Sequence, residues 1–291
     1  MITVKNINKS FGDLHVLKDI NLTLNNGTIF GLVGINGAGK STFLRLLSSV
    51  LLPESGNILF DEKEILNDEA NRMNVFYLSD QPTHTLYMTI KDLKELYKVF
   101  YPFDDEQFQS ILALFNLTEK MSLSHISKGM KRQAYIACAF ASNAKYLLLD
   151  EVFDGLDPVA RLKFKKLMID HSSDDKIFIL TSHSLRELED ICDEFGIIDE
   201  GHFKRFGHLS DELSKLMKYQ IILKDKLPYT FSNPACNILH QQQDGRVLTL
   251  IIEGIHPPLE EIIDAKDYHA IDELSISFEE YFIVYQGGAS K

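Results

Sequence analysis

What this 291-residue sequence has little of narrows the possibilities before any motif is read. Cysteine is limited to Cys138, Cys192 and Cys236, odd in number and widely spaced, so no disulfide framework is expected and the chain reads as one kept reduced in the cytoplasm. Positive charge is in deficit: 30 Lys and Arg stand against 42 Asp and Glu, a net charge of −12. A phosphate backbone would be repelled by that field, so nucleic acid is not an expected partner. Glycine and proline number only 16 and 8, which excludes collagen-like and low-complexity chains, while 45% hydrophobic and 25% charged residues are ordinary for a globular protein. No apolar run approaches the roughly 20 residues that cross a bilayer; the best, 111–115 and 146–149, are far too short. The start, Met1-Ile2-Thr3-Val4-Lys5-Asn6, shows no charged leader before an apolar segment. The length leaves room for about two domains, one large and one small.

Short β-type runs at 2–7, 22–24 and 29–33 open the chain, and Asn26-Gly27 gives a hairpin signal. A glycine-rich loop begins at Gly34 and leads into a helical pattern over 41–52. Between 89 and 115 two helical patterns, 92–100 and 106–115, flank the Pro102 break and form an α-rich insertion. Another helix is expected over 127–141, followed by apolar strands at 146–149 and 177–180 that read as the interior of a parallel sheet. The pattern loosens over 201–216, which sets a domain boundary near residue 215. Beyond it come a strand at 219–223, a hairpin around Asp244-Gly245, a short helix at 259–265 and a frayed tail from 286. The charged runs 61–64 and 163–166 are solvated faces, and the ten histidines form no His-x-x-x-His pair beside a carboxylate.

Gly34-Ile35-Asn36-Gly37-Ala38-Gly39-Lys40-Ser41 satisfies G-x-x-x-x-G-K-[ST] between an apolar strand and a helix, the setting a phosphate site needs. Glycines let backbone N–H groups curl around phosphate oxygens, and the helix N-terminus adds its positive end. In that arrangement Asn36, Gly37, Ala38 and Gly39 cradle phosphate and Lys40 neutralises it. Ser41 offers a hard oxygen to Mg²⁺, and Thr42 helps cap the helix. Tyr146-Leu147-Leu148-Leu149-Asp150-Glu151 is an apolar strand ending in two carboxylates, aimed at the carboxyl edge of a parallel sheet. Asp150 is placed to hold Mg²⁺ and Glu151 to polarise the attacking water. His183 follows the strand Ile177-Phe178-Ile179-Leu180-Thr181-Ser182 and is placed to reach the γ-phosphate.

With these residues the chain resembles the nucleotide-binding subunit of an ATP-binding-cassette (ABC) transporter over roughly residues 1–215. The family's signature segment corresponds to Ile126-Ser127-Lys128-Gly129-Met130, its aspartate loop to Gly155-Leu156-Asp157-Pro158, and its switch histidine to His183. Phe11 matches the aromatic on which such proteins stack adenine, with a core phenylalanine as the bland alternative. The resemblance implies a P-loop α/β cassette: a parallel core sheet, an antiparallel N-terminal β subdomain, an α-helical subdomain at about 83–126, and a small C-terminal α/β accessory domain at 216–291. It implies ATP hydrolysis with Mg²⁺ and a head-to-tail dimer, homo- or heteromeric, in which Ser127 and Gly129 of one cassette reach the γ-phosphate held by another and Asp157 links the two sites. It also implies a separate multi-span permease, docked on the helical subdomain at the cytoplasmic face of the membrane.

Two departures stand out. Lys128 and Met130 occupy signature positions where the family usually has glycine and glutamine. In Tyr77-Leu78-Ser79-Asp80-Gln81-Pro82 the metal-facing position of the glutamine loop falls on Asp80 rather than Gln81 if the tyrosine and proline anchors hold, and either residue offers oxygen to Mg²⁺. The signature context and the C-terminal region look most like exporters of amphipathic peptides, including the phenol-soluble-modulin type. A drug exporter, an importer and a cluster-assembly ATPase are the alternatives. A non-hydrolysing regulatory subunit is disfavoured because Lys40, Asp150, Glu151 and His183 are all present.

Overall fold

The computed structural model describes residues 1–65, 68–172, 175–226, 228–229, 237–254, 263–264 and 266–286. These divide into two units, Met1–Gly207 and His208–Lys291.

In the first unit, β1 (Ile2–Phe11) and β2 (Leu14–Leu24) alternate buried and exposed residues, the mark of strands covered on one face. They pair antiparallel, and with β4 (Ser55–Phe60) and β5 (Lys63–Glu64) they form a sheet ordered β2-β1-β4-β5. β3 (Ile29–Val33), β7 (Tyr146–Leu149) and β8 (Ile177–Thr181) are instead buried at every position. They run parallel with β6 (Val75–Leu78) and β9 (Glu194–Asp199) in a second sheet ordered β10-β9-β3-β8-β7-β6, with β10 (His202–His208) at one edge. Parallel pairing brings the carboxyl ends of β3, β6, β7 and β8 to one edge.

The hairpin read from Asn26-Gly27 does not form. Gly27 makes a turn at φ 85°, but β2 stays in the antiparallel sheet while β3 enters the parallel one. The Gly27 N–H donates instead to Lys176 O, 2.7 Å away, just ahead of β8. Full burial of β3 demands neighbours on both sides, and β8 and β9 supply them.

α1 (Lys40–Leu47) buries Phe43, Leu44, Leu46 and Leu47, and ends earlier than the apolar run to residue 52 implies. After α2 (Glu69–Met73), the helical segment holds α3 (Ile90–Lys98) and α4 (Asp105–Leu114). The start of α3 lies before residue 92 because Thr89 and Asp92 form a reciprocal capping box. α5 (Lys128–Ala141) is buried continuously from Arg132 to Ala141. α6 (Pro158–His171) begins on Pro158 with Asp157 as its cap, and α7 (Leu185–Glu189) follows β8. Cys138 and Cys192 are buried free thiols, whereas Cys236 lies outside the described residues.

The second unit comprises α8 (Leu209–Leu213), β11 (Leu216–Leu223), β12 (Asn237–Asp244), β13 (Val247–Glu253), β14 (Tyr268–Leu274) and α9 (Phe278–Gln286). Its antiparallel sheet is ordered β12-β13-β11-β14, with Asp244 opposite Val247 across the Gly245 turn. Tyr219, Ile221, Leu223, Leu248, Leu250, Ile252 and Ile263 form its core. The division falls before residue 215 because α8 is tied into this unit: Tyr281 Oη donates to Glu212 at 2.7 Å, and Gly254 N–H donates to Lys215 O at 3.2 Å. The helix expected at 259–265 lies outside the described residues apart from Ile263 and Asp264, and so does the tail from 287. Among the described residues no helix is long and apolar enough to cross a membrane.

Leu148, fully buried in β7, is the strand's test position. Leu148→Ala is expected to lower unfolding free energy by about 2–5 kcal/mol, read from the urea midpoint, because the close-packed interior cannot refill the void.

Candidate functional site

A cavity of about 490 Å³ opens at the carboxyl edge of the parallel sheet, and Asn36, Gly37, Gly39, Lys40, Ser41 and Thr42 line one side of it. The loop leaving β3 closes on itself through Ala38 N–H to Ile35 O at 3.1 Å. Gly39 has φ +108°, and a Cβ there would lie 2.7 Å from Leu17 Cδ2, so only glycine fits. Gly39 is also the N-cap of α1 and has no side chain to cap with; Thr42 therefore lines the cavity and does not cap the helix. The first-turn N–H groups of α1 consequently remain available to an anion. Ala38 is buried beneath the loop. Lys40 is buried too, and its Nζ donates to Gly34 O at 2.7 Å and Ile35 O at 3.3 Å. Burial pulls its pKa down, and the charges of Glu151 and Asp150 oppose that.

Asp150 sits at the end of β7, 1% exposed, with its N–H bonded to Leu78 O at 2.8 Å. Thr181, fully buried at the end of β8, joins the two acids. Its Oγ1 donates to Asp150 Oδ1 at 2.7 Å and accepts the Glu151 N–H at 2.7 Å. Tyr77 Oη donates to Asp150 Oδ2 at 3.3 Å, and its phenol is pushed up to about 12, chiefly by burial and then by the Asp150 charge. Glu151 has φ +47°, a left-handed conformation that costs a side-chain-bearing residue about 1–3 kcal/mol. Its carboxylate accepts the His183 N–H at 3.0 Å and lies 3.4 Å from His183 Nε2. Burial raises the Glu151 pKa; the nearby His183 and Lys40 lower it, and Asp150 adds to the rise.

Asp80, Glu151, His183 and Phe11 complete the cavity wall. Phe11 is 49% exposed, which removes the core reading, and it borders the cavity beside Val16. Asp80 lines this cavity and also a second cleft with Gln81, Pro82 and Lys131; of the two, Gln81 lines only the second cleft. Ser127 and Gly129 do not line the cavity of their own chain. Ser127 caps α5 by accepting Met130 N–H at 3.1 Å, and a Cβ on Gly129 would strike Gly155 O at 2.3 Å. The Lys128 ammonium pairs with Asp154. Asp157 accepts the Ala160 N–H at 2.9 Å as the α6 cap.

A glycine loop closed by Lys40 at a free helix start suits an anion, and the comparisons give the family in which it occurs. The ABC transporter family model matches residues 17–154. The ABC transporter ATP-binding protein YtrB of Bacillus subtilis is 30% identical over 291 residues, 99% of either chain. This chain belongs to the ABC transporter family. The lantibiotic transport ATP-binding protein SrtF of Streptococcus pyogenes is 28% identical over 78% of this chain and 100% of its own. The solved structure of an ATP-binding subunit of an ABC transporter superposes with a TM-score of 0.68 at 27% identity, covering 74% of this chain and 92% of that one. The ABC protein is thus an ATP-binding, ATP-hydrolysing subunit, and such subunits dimerise and work with transmembrane permeases.

The bonds of Thr181 and Tyr77 to Asp150 go beyond what the sequence predicts, in which Thr181 has no role and Tyr77 only anchors the Asp80 segment. The signal for Thr181 was its place two residues before His183, level with Asp150 once β7 and β8 are paired in register. Thr181→Val keeps shape and removes both hydrogen bonds. The ABC ATPase is expected to lose about 10–100-fold in turnover with a stability loss of about 1–3 kcal/mol, read by phosphate release and thermal melting.

Proposed function

We propose that this ATPase powers export through a separate multi-span permease, with amphipathic or cytolytic peptides as the cargo class and the cytoplasmic face of the membrane as its location. The observation that supports a docked partner best is a groove of about 290 Å³ with a mixed lining, Ser79 and Thr83 as well as Pro82, Leu96, Tyr97, Phe100 and Tyr135. Leu96 and Phe100 of its lining are exposed, as is Val99 between them in sequence, and apolar side chains left open in one segment are what a partner would cover. The peptide-export reading is supported by the likeness to SrtF, a lantibiotic transport protein, and by the Ser127-Lys128-Gly129-Met130 signature context.

In this reading the loop N–H groups and Lys40 hold the β- and γ-phosphates, and Phe11 stacks on adenine. Ser41 and Asp80 at the cavity, and the buried Asp150 should it exchange its Thr181 and Tyr77 hydroxyls, would offer hard oxygens to Mg²⁺, which would neutralise charge on the phosphates. Glu151, held by His183 and by Thr181 through its N–H, accepts the proton of the attacking water. Ser127 and Gly129, which stand outside their own chain's cavity, would serve the γ-phosphate bound by a second cassette, as the signature segment's likeness to the family implies. Loss of the γ-phosphate on hydrolysis removes that bridge and lets the pair reopen.

Glu151→Gln is expected to bind ATP normally while turnover falls about 10²–10⁴-fold, the range for losing a general base. A base with a raised pKa loses activity as pH falls through that value. The acidic limb of wild-type turnover is therefore expected above the ordinary glutamate value of about 4.3. The partner reading is tested by pulling the tagged chain from detergent-solubilised membranes. A co-purifying multi-span protein is the expected result, and soluble partners alone would favour the cluster-assembly alternative.

A further inference from the structure

Arg132, in the second turn of α5, is 2% exposed and reaches two other segments at once, the loop at Ser79–Asp80 and the end of β7 at Asp150. One guanidinium nitrogen donates to Ser79 O at 2.8 Å and lies 3.5 Å from Asp150 O. The other donates to Asp80 O and lies 3.3 Å from Asp80 Oδ1. Burial pulls its pKa down against the opposing charges of Asp80, Asp154, Asp150 and Glu151. An apolar side chain would fill this volume with less desolvation cost, so the feature that needs explaining is the planar fork. It grips the carbonyls on both sides of Asp80 and thereby fixes where the Asp80 carboxylate stands at the cavity rim. It also sets a positive charge beside a carboxylate that would otherwise face incoming polyphosphate unbalanced.

We propose that Arg132 is a positioning residue for hydrolysis. It holds the loop after β6 so that Asp80 meets the nucleotide's metal, and it ties that loop to the signature helix that begins at Ser127. The inference rests on the reading that Asp80 helps hold Mg²⁺, and it assigns Arg132 no contact with nucleotide. The role separates binding from turnover: the Lys40 loop and Phe11 retain nucleotide when the Asp80 segment is loosened, but the metal is held less well.

The test is Arg132→Lys in the full chain, assayed in its membrane-extracted complex for turnover against Mg²⁺ concentration. Binding of a fluorescent ATP analogue and the thermal midpoint are read on the same variant. Nucleotide affinity within about threefold of wild type is expected, with turnover lower by about 10–100-fold and the half-saturating Mg²⁺ concentration higher by about tenfold. In an Asp80→Asn background the same substitution is expected to add little further loss, because both act through one group. Wild-type turnover and Mg²⁺ dependence in Arg132→Lys would overturn the role. So would loss of nucleotide binding in step with melting, which marks a scaffold residue, or a full additional loss on Asp80→Asn. An unchanged Mg²⁺ profile in Asp80→Asn alone would instead overturn the metal reading of Asp80, and the Arg132 role with it.

Discussion

The parallel register of β3, β8 and β7 is the constraint on which the rest of the site depends. Leu32 pairs with Thr181 and Leu149 with Leu180, so the phosphate loop, the Thr181 hydroxyl and the Asp150-Glu151 pair emerge level with one another. A slip of one residue would turn Thr181 to the opposite face and break both of its hydrogen bonds. Full burial on both faces makes such a slip costly, because every side chain of the three strands is packed. Stability of the sheet and precision of the site are therefore one property.

Within that frame, buried charge is handled by hydrogen bonds more than by tight ion pairs. Asp150 is held by two hydroxyls, from Thr181 and Tyr77, and Lys40 by two loop carbonyls. Each group has partners of its own that leave it free to be redirected: Lys40 exchanges carbonyls for phosphate oxygens without a buried pair first having to break. Glu151 differs. Its left-handed backbone and raised pKa hold strain and basicity at the residue that the proposed chemistry requires to be a base.

Much of this was legible in the sequence. The loop 34–41 and the strand ending at Asp150-Glu151 are local patterns whose spacing encodes their structure, and the structure brings them to one cavity with His183 and Phe11. That Asp80 and not Gln81 lines the cavity depends on how the turn after β6 folds, which a local pattern does not carry. Asn26-Gly27 misled because a turn signal is local whereas strand pairing is not: the chain turns as expected and then joins a different sheet. Thr181 and Arg132 were missed because their partners lie 31 and 52 residues away in sequence. The second unit begins upstream of residue 215 because the Glu212–Tyr281 bond is likewise long-range.

In the proposed cycle one chain carries two halves of different nucleotide sites, with Ser127 serving a phosphate that its own Lys40 does not hold. Ser127→Asp isolates this, since aspartate caps a helix as well as serine does and sets a negative charge only where a γ-phosphate is to be met. The measurement is ATP-analogue binding to the isolated variant beside ATP turnover of its membrane-extracted complex. The account predicts binding equal to wild type and turnover lower by at least about tenfold, the scale of one lost charge-assisted contact. Equal loss of binding and turnover, or turnover left unchanged, would contradict it.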